Sequence, residues 1–162
     1  MDPGQAPTLT GGCLCESVRF EIHFGDKFRW PPTSCACQCT MCRKFTASLV
    51  AQFIAVARPN LSPDLRDAPA FAEYESSPGV FRGFCRRCGS SLSYRCLKYP
   101  DVVDVFIGAL DEKWISGGQD DDKVAIAKDL ATPNGYHAWY SHMIPGVTDY
   151  LKGRPNYAEG AT

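Results

Sequence analysis

The sequence predicts a single, mostly β domain with little helix, pinned by metal-binding cysteines. Three observations carry this. Short apolar segments recur with a strand period between Gly, Pro and Asp breaks. Nine cysteines occur in 162 residues, and eight of them fall in C-x-C or C-x-x-C spacing. A hydrophobic content of 44% over this length is enough for one core.

Residues 1–10 read as a flexible tail rich in Pro, Gly and Thr, and residues 11–162 as the domain. Over 17–24, Val18, Phe20, Ile22 and Phe24 alternate with polar residues, a strand with one buried face and His23 on the exposed phase. Trp30-Pro31-Pro32-Thr33 breaks the chain. Residues 49–56 are β-rich and nearly continuous in apolar character, which suits a central strand. The three prolines of 58–70 mark a connecting loop. Phe71 to Tyr74 is a short strand, 76–79 a turn, and Val80 onward a strand running into Cys85-Arg86-Arg87-Cys88-Gly89, where Gly89 suits a left-handed turn residue. Leu92 to Tyr94 and Val102 to Gly108 are the last clear strands. Residues 117–123, with two glycines and three consecutive aspartates, read as a solvated loop. The aromatic run from Tyr136 to His142 is expected to pack back on the body.

Composition excludes several functions. A net charge of −1, from 17 basic and 18 acidic residues, lacks the basic excess of a nucleic-acid binder. No apolar run reaches the ~18 residues of a membrane span, and the first residues lack the basic and apolar regions of a signal peptide. The odd cysteine count and ligand-like spacing argue against a disulfide framework, so a cytoplasmic location is expected.

The cysteines sort by spacing. Cys13/Cys15 and Cys85/Cys88 are two half-sites at strand ends, and four thiolates make a closed structural zinc site. Four buried free thiols are the alternative. Cys37, Cys39 and Cys42 read C-x-C-x-x-C, three convergent sulfurs, and a zinc with three protein ligands keeps an open position. Cys35 would lie about 13 Å from Cys39 on a straight strand, so it is expected outside that set. Cys96, without a partner in sequence, is expected to be a structural thiol. Arg43, Lys44, Arg82, Arg86 and Arg87 cluster in sequence around these motifs, either to offset thiolate charge or to hold a substrate carboxylate.

Gly11-Gly12-Cys13-Leu14-Cys15, the run Cys37-Gln-Cys-Thr-Met-Cys42-Arg-Lys and the run Arg82-Gly-Phe-Cys85-Arg-Arg-Cys88-Gly-Ser together resemble the glutathione-dependent formaldehyde-activating enzyme (GFA) family, which includes centromere protein V. The resemblance spans roughly residues 11–111, and the chain is most similar to the fungal branch. It implies the zinc-stabilised β-tent fold shared with the small Rab-binding zinc chaperone. It also implies two zinc ions per chain, a structural one on Cys13, Cys15, Cys85 and Cys88 and a catalytic one on Cys37, Cys39 and Cys42. Two departures stand out. Glu16 occupies a position that is often Gly in the family, and Gln38 one that is often His.

The function this resemblance implies is that of a zinc-dependent carbon–sulfur lyase, acting on a thiol (glutathione-like) adduct of a carbonyl or related electrophile. Its partners would be small-molecule thiols, without nucleic acid or membrane; the sequence leaves the oligomeric state open. The proton carrier is unassigned among Asp, Glu, His137 and metal-bound water, and His137 and His142 are each expected to pack or lie at the surface. The competing class is a non-catalytic zinc-binding interaction module related to centromere protein V. A thiol-disulfide oxidoreductase would need a βαβ setting, and none is visible.

Overall fold

Period-two patterning builds two antiparallel sheets whose inner faces share one core. The computed structural model describes residues 6–26, 28–116 and 120–151. In chain order these form β1 (Leu9–Gly12), β2 (Arg19–Ile22), β3 (Ser34–Cys37), α1 (Thr40–Thr46), β4 (Ala51–Ala57), β5 (Leu61–Ser62), β6 (Phe71–Ser77), β7 (Val80–Cys85), β8 (Ser91–Cys96), β9 (Val102–Phe106), α2 (Glu112–Ile115), α3 (Asp121–Ala131) and β10 (His137–Ala138). The small sheet has the order β1-β2-β5, and the large one β10-β3-β4-β9-β8-β7-β6. Pairing is antiparallel throughout, except that β10 lies parallel to β3.

Alternation assigns the two faces of the large sheet to different tasks. Ile54 and Val56 of β4, with Val103 and Val105 of β9, point inward against Leu9, Phe20 and Ile22 of the small sheet. On the opposite face lie Ala51, Phe53 and Phe106 with Cys35 and Cys37 of β3. Because β4 is buried on both faces, its sequence reads as a nearly continuous apolar run. The β7/β8 register shifts between Gly83, paired with Ser93, and Phe84, paired with Ser91. Leu92 is thus an extra residue that turns into the core while Tyr94 turns to the other face.

Two expectations need correction. The tail is shorter than residues 1–10: Leu9 is fully buried and β1 pairs with β2 from Leu9↔Ile22. Thr10 donates to the Asp111 carboxylate and accepts from the Trp114 indole. Only the first half of that tail lies outside the described residues, as do 117–119 of the expected loop.

A helix also stands where the aspartate run was expected to be loop. Asp120, within the aspartate run read as loop, caps α3 by accepting from the backbone of Asp122 and Lys123. Asp121 and Asp122 then complement the helix N-terminus. Leu130 anchors α3 in the core, and the Leu130 and Ala131 carbonyls accept from Ser34 and Gln52. No helix among the described residues is long and apolar enough to cross a membrane.

Candidate metal centres and the adjoining cavity

The first cluster joins two loops from opposite parts of the chain. Cys13 and Cys15 follow β1, while Cys85 ends β7 and Cys88 sits in the turn before β8. The four sulfurs lie within 4.8 Å of one another. The Cys13–Cys15 separation is 3.6 Å and Cys15–Cys85 is 3.8 Å, close to the ~3.8 Å edge of a zinc–thiolate tetrahedron. The Val18 backbone donates to Cys13 Sγ at 3.3 Å.

Backbone constraints explain the glycines of these motifs. A Cβ on Gly11 would sit 2.4 Å from the Ala109 carbonyl oxygen, and Gly89 holds φ +77° as the turn requires. Glu16, where the family often has Gly, stands at φ +59°.

The second cluster is built by β3 running into α1. Cys37 ends the strand. Cys39 caps the helix, its sulfur accepting from the Cys42 backbone at 3.2 Å, and Cys42 follows on the first turn. All three are buried and their sulfurs lie within 4.8 Å of one another. Cys35 lies on the same strand face but outside that group. Its fully buried thiol is pushed up to about 11 by desolvation. Cys96 belongs to neither cluster and lines the adjoining groove.

Among the cationic residues singled out in sequence, the structure brings Arg82 alone to this cluster. Its guanidinium is buried, donates to Cys42 Sγ at 3.5 Å and to Ser76 Oγ at 3.1 Å, and lies over the rings of Phe45 and Tyr94. Hydrogen bonds from Cys37 and Cys42, helped by the Arg82 charge, hold the Cys39 thiol far below its usual range. Cys37 is pushed up as the donating partner. Arg86 donates to the Phe71 carbonyl and Arg87 to Ser17.

The three sulfurs form part of the wall of a cavity of about 200 Å³. Phe53, Phe106, Tyr94, Tyr136 and Trp139 give it aromatic sides, and Arg82 and Asp104 are its charged groups. Asp104 carries no motif and was not singled out in sequence. Desolvation pushes its carboxyl up to about 7.

Gln38 and His137 turn the other way. Alternation along β3 and β10 sends both side chains to the far face, where they are fully buried. The Gln38 amide nitrogen meets His137 Nε2 at 3.0 Å, and its oxygen accepts from Arg43 at 2.8 Å and from Thr148 Oγ1 at 2.7 Å. His137 Nδ1 pairs with the Leu151 carbonyl. Burial lowers the pKa of this imidazole, favouring the neutral form. The network ties the C-terminal segment to the cysteine strand. Gln38 and His137 do not line the cavity, so His137 is not its proton carrier.

Both sulfur sets fit a thiophilic metal: the sulfurs of each converge within 4.8 Å and backbone N–H groups point at sulfur. Residues 8–125 match the family described as glutathione-dependent formaldehyde-activating enzyme. The chain belongs to the GFA family. An uncharacterized lyase of Schizosaccharomyces pombe is 31% identical over 103 residues, covering 62% of this chain and 69% of that protein. The crystal structure of a Rhodobacter sphaeroides protein, 22% identical, covers 63% of this chain and 87% of its own with a TM-score of 0.50, a likeness of fold. The GFA match spans both cysteine clusters, α2 and the start of α3.

Proposed function

We propose that the protein is a zinc-dependent carbon–sulfur lyase that makes or breaks the bond between a thiol such as glutathione and a carbonyl-type carbon. One observation carries the reading. Three convergent sulfurs line an open cavity, whereas the four-sulfur cluster fills a tetrahedron with protein ligands alone. When bound at Cys37, Cys39 and Cys42, zinc would supply a Lewis acid that keeps a substrate thiol as its thiolate. Family membership and the lyase name of the yeast relative support the same chemistry.

The chain's own residues would do the rest. Arg82 is fixed by Ser76 and two aromatic rings, so its charge faces the sulfurs without rearrangement. The aromatic sides hold the carbon partner and keep water from it. Trp139 closes one side from a left-handed backbone conformation at φ +56°.

The test is X-ray absorption of the zinc-loaded protein. The expected result is seven sulfur neighbours shared by two zinc ions, rising to eight when glutathione is added. Eight protein sulfurs before any thiol is added would leave no open position. The interaction-module reading would then replace the enzyme.

A further inference from the structure

We propose that Asp104 is the catalytic acid–base residue of the three-cysteine cavity, moving the proton at the carbonyl oxygen of the substrate. This rests on the lyase reading above.

Placement is the first argument. Asp104 and Phe106 alternate onto the cavity face of β9, opposite Val103 and Val105 in the core. Register sets Asp104 beside Tyr94 on one side and Ala55 on the other. Among the described residues it is the only carboxylate lining this cavity, and no described group donates to its oxygens or pairs with it. A part-buried acid in this position has no visible structural use. Two such strands would pack more favourably around an apolar residue.

Access is the second argument. Asp104, Val80, Tyr94 and Tyr136 also line an adjoining groove of about 620 Å³, open toward Lys98 and Tyr99. The carboxyl thus stands between the reacting side and a route for proton exchange with solvent.

Elimination is the third. Tyr94, from β8, is pushed up to about 12 and Tyr136, before β10, higher still, both mainly by desolvation. Arg82, from β7, donates to Ser76 and Cys42 and has no acceptor atom. Cys35 of β3 is raised by burial, and Cys37, Cys39 and Cys42 are the metal set. From β4 come only Ala55 and Phe53. Burial pushes the Asp104 carboxyl up to about 7, which suits a group that must give and take a proton.

The step balances. In the addition direction the thiolate sulfur pair forms the C–S bond and the C=O π pair moves to oxygen. That oxygen takes the Asp104 proton to become hydroxyl, and the proton released by the thiol restores the acid. In cleavage, Asp104 carboxylate takes the hydroxyl proton, the carbonyl re-forms and the sulfur leaves with the C–S pair.

The experiment uses the zinc-loaded protein with glutathione and formaldehyde, following adduct exchange by NMR, with zinc content and melting temperature checked for every variant. Asp104→Asn is expected to lower kcat by ~100-fold or more with KM changed by less than ~3-fold, and to lose the limb of the pH profile that the carboxyl sets. Asp104→Glu should recover at least a tenth of the rate. If Asp104→Asn does not fold, wild type labelled with ¹³C-aspartate decides instead. One carboxyl must titrate above the ordinary range and respond to the thiol adduct, and no such resonance overturns the assignment. Wild-type rates in folded, zinc-loaded Asp104→Asn overturn Asp104 and leave the lyase reading standing. A wild-type protein that neither speeds exchange nor gains a zinc–sulfur neighbour with glutathione overturns both.

Discussion

The two cysteine clusters use the same element of chemistry in opposite settings. The four-sulfur cluster staples the loop after β1 to the turn after β7, seventy residues apart, and Cys15 in it is exposed. The three-sulfur cluster lies wholly buried on a sheet face beside a cavity, with an arginine and a carboxylate brought to it from β7 and β9. Stapling needs only ligands. Chemistry needs ligands plus groups that other strands deliver.

The largest effects should separate the clusters outright. Cys85→Ser should unfold or precipitate the protein, because structural zinc is worth on the order of 10 kcal/mol of folding free energy, as much as a domain's whole stability. Cys39→Ser should stay folded, hold one zinc instead of two and lose thiol chemistry. Thermal melts with metal analysis check both. An equal loss of melting temperature in the two variants would make the second site structural too.

A pH dependence should come from Asp104 rather than from either cluster's loops. Its folded-state pKa is raised from 3.8 to about 7 by burial. The native state therefore binds more protons than the unfolded state between those values. Its contribution is fully present below pH 4 and is lost as pH rises through 7, by at most about 4 kcal/mol. Asp104→Asn should flatten that alkaline decline, so that the variant gains on wild type between pH 5 and 8. A parallel pair of melting curves across this range would contradict the burial of the carboxyl.

Gln38 tests the far side of the same strand. Gln38→Ala leaves His137, Thr148 and Arg43 short of partners and should cost about 1–3 kcal/mol. Hydrogen exchange should rise across 136–151, where the C-terminal segment is held. If Gln38 instead served the cavity, exchange there would stay slow while activity fell.

Much of this was legible in sequence because ligand spacing and strand period are local. Cys13, Cys15, Cys85 and Cys88 announce half-sites by spacing alone, and the alternation of 18–24 locates β2. The features that stayed hidden depend on register or direction. Nothing in Val-Val-Asp-Val-Phe says that Asp104 faces a cavity until Tyr94 and Ala55 flank it. Gln38 stood out as a departure from the family pattern among the cysteines, yet period two turns it away from them. Helix α3 was readable and misread. Three aspartates look like a solvated loop, but a capping Asp120 followed by two acids and an Ala-rich run is a helix start.

The smallest effect concerns Glu16, and it returns to the four-sulfur loop. Its φ of +59° is a left-handed conformation that costs an ordinary residue roughly 1–2 kcal/mol, and the turn fixes it through the Glu16 N–H donated to the Cys13 carbonyl at 2.9 Å. Its side chain is exposed, and its charge mildly favours the Arg19 guanidinium. Glu16→Gly removes the strain but adds chain entropy to the unfolded state, about 0.5–1 kcal/mol. The net expectation is a gain of about 0.5 kcal/mol and slower zinc loss from the four-sulfur cluster to a chelator. The response of the three-sulfur site to glutathione should not move, since this loop lies outside the cavity lining. A destabilised Glu16→Gly would mean that the glutamate holds the loop by contacts worth more than its backbone strain. A changed thiol response would mean that the two clusters are coupled through the sheet, and the division between stapling and chemistry would have to be redrawn.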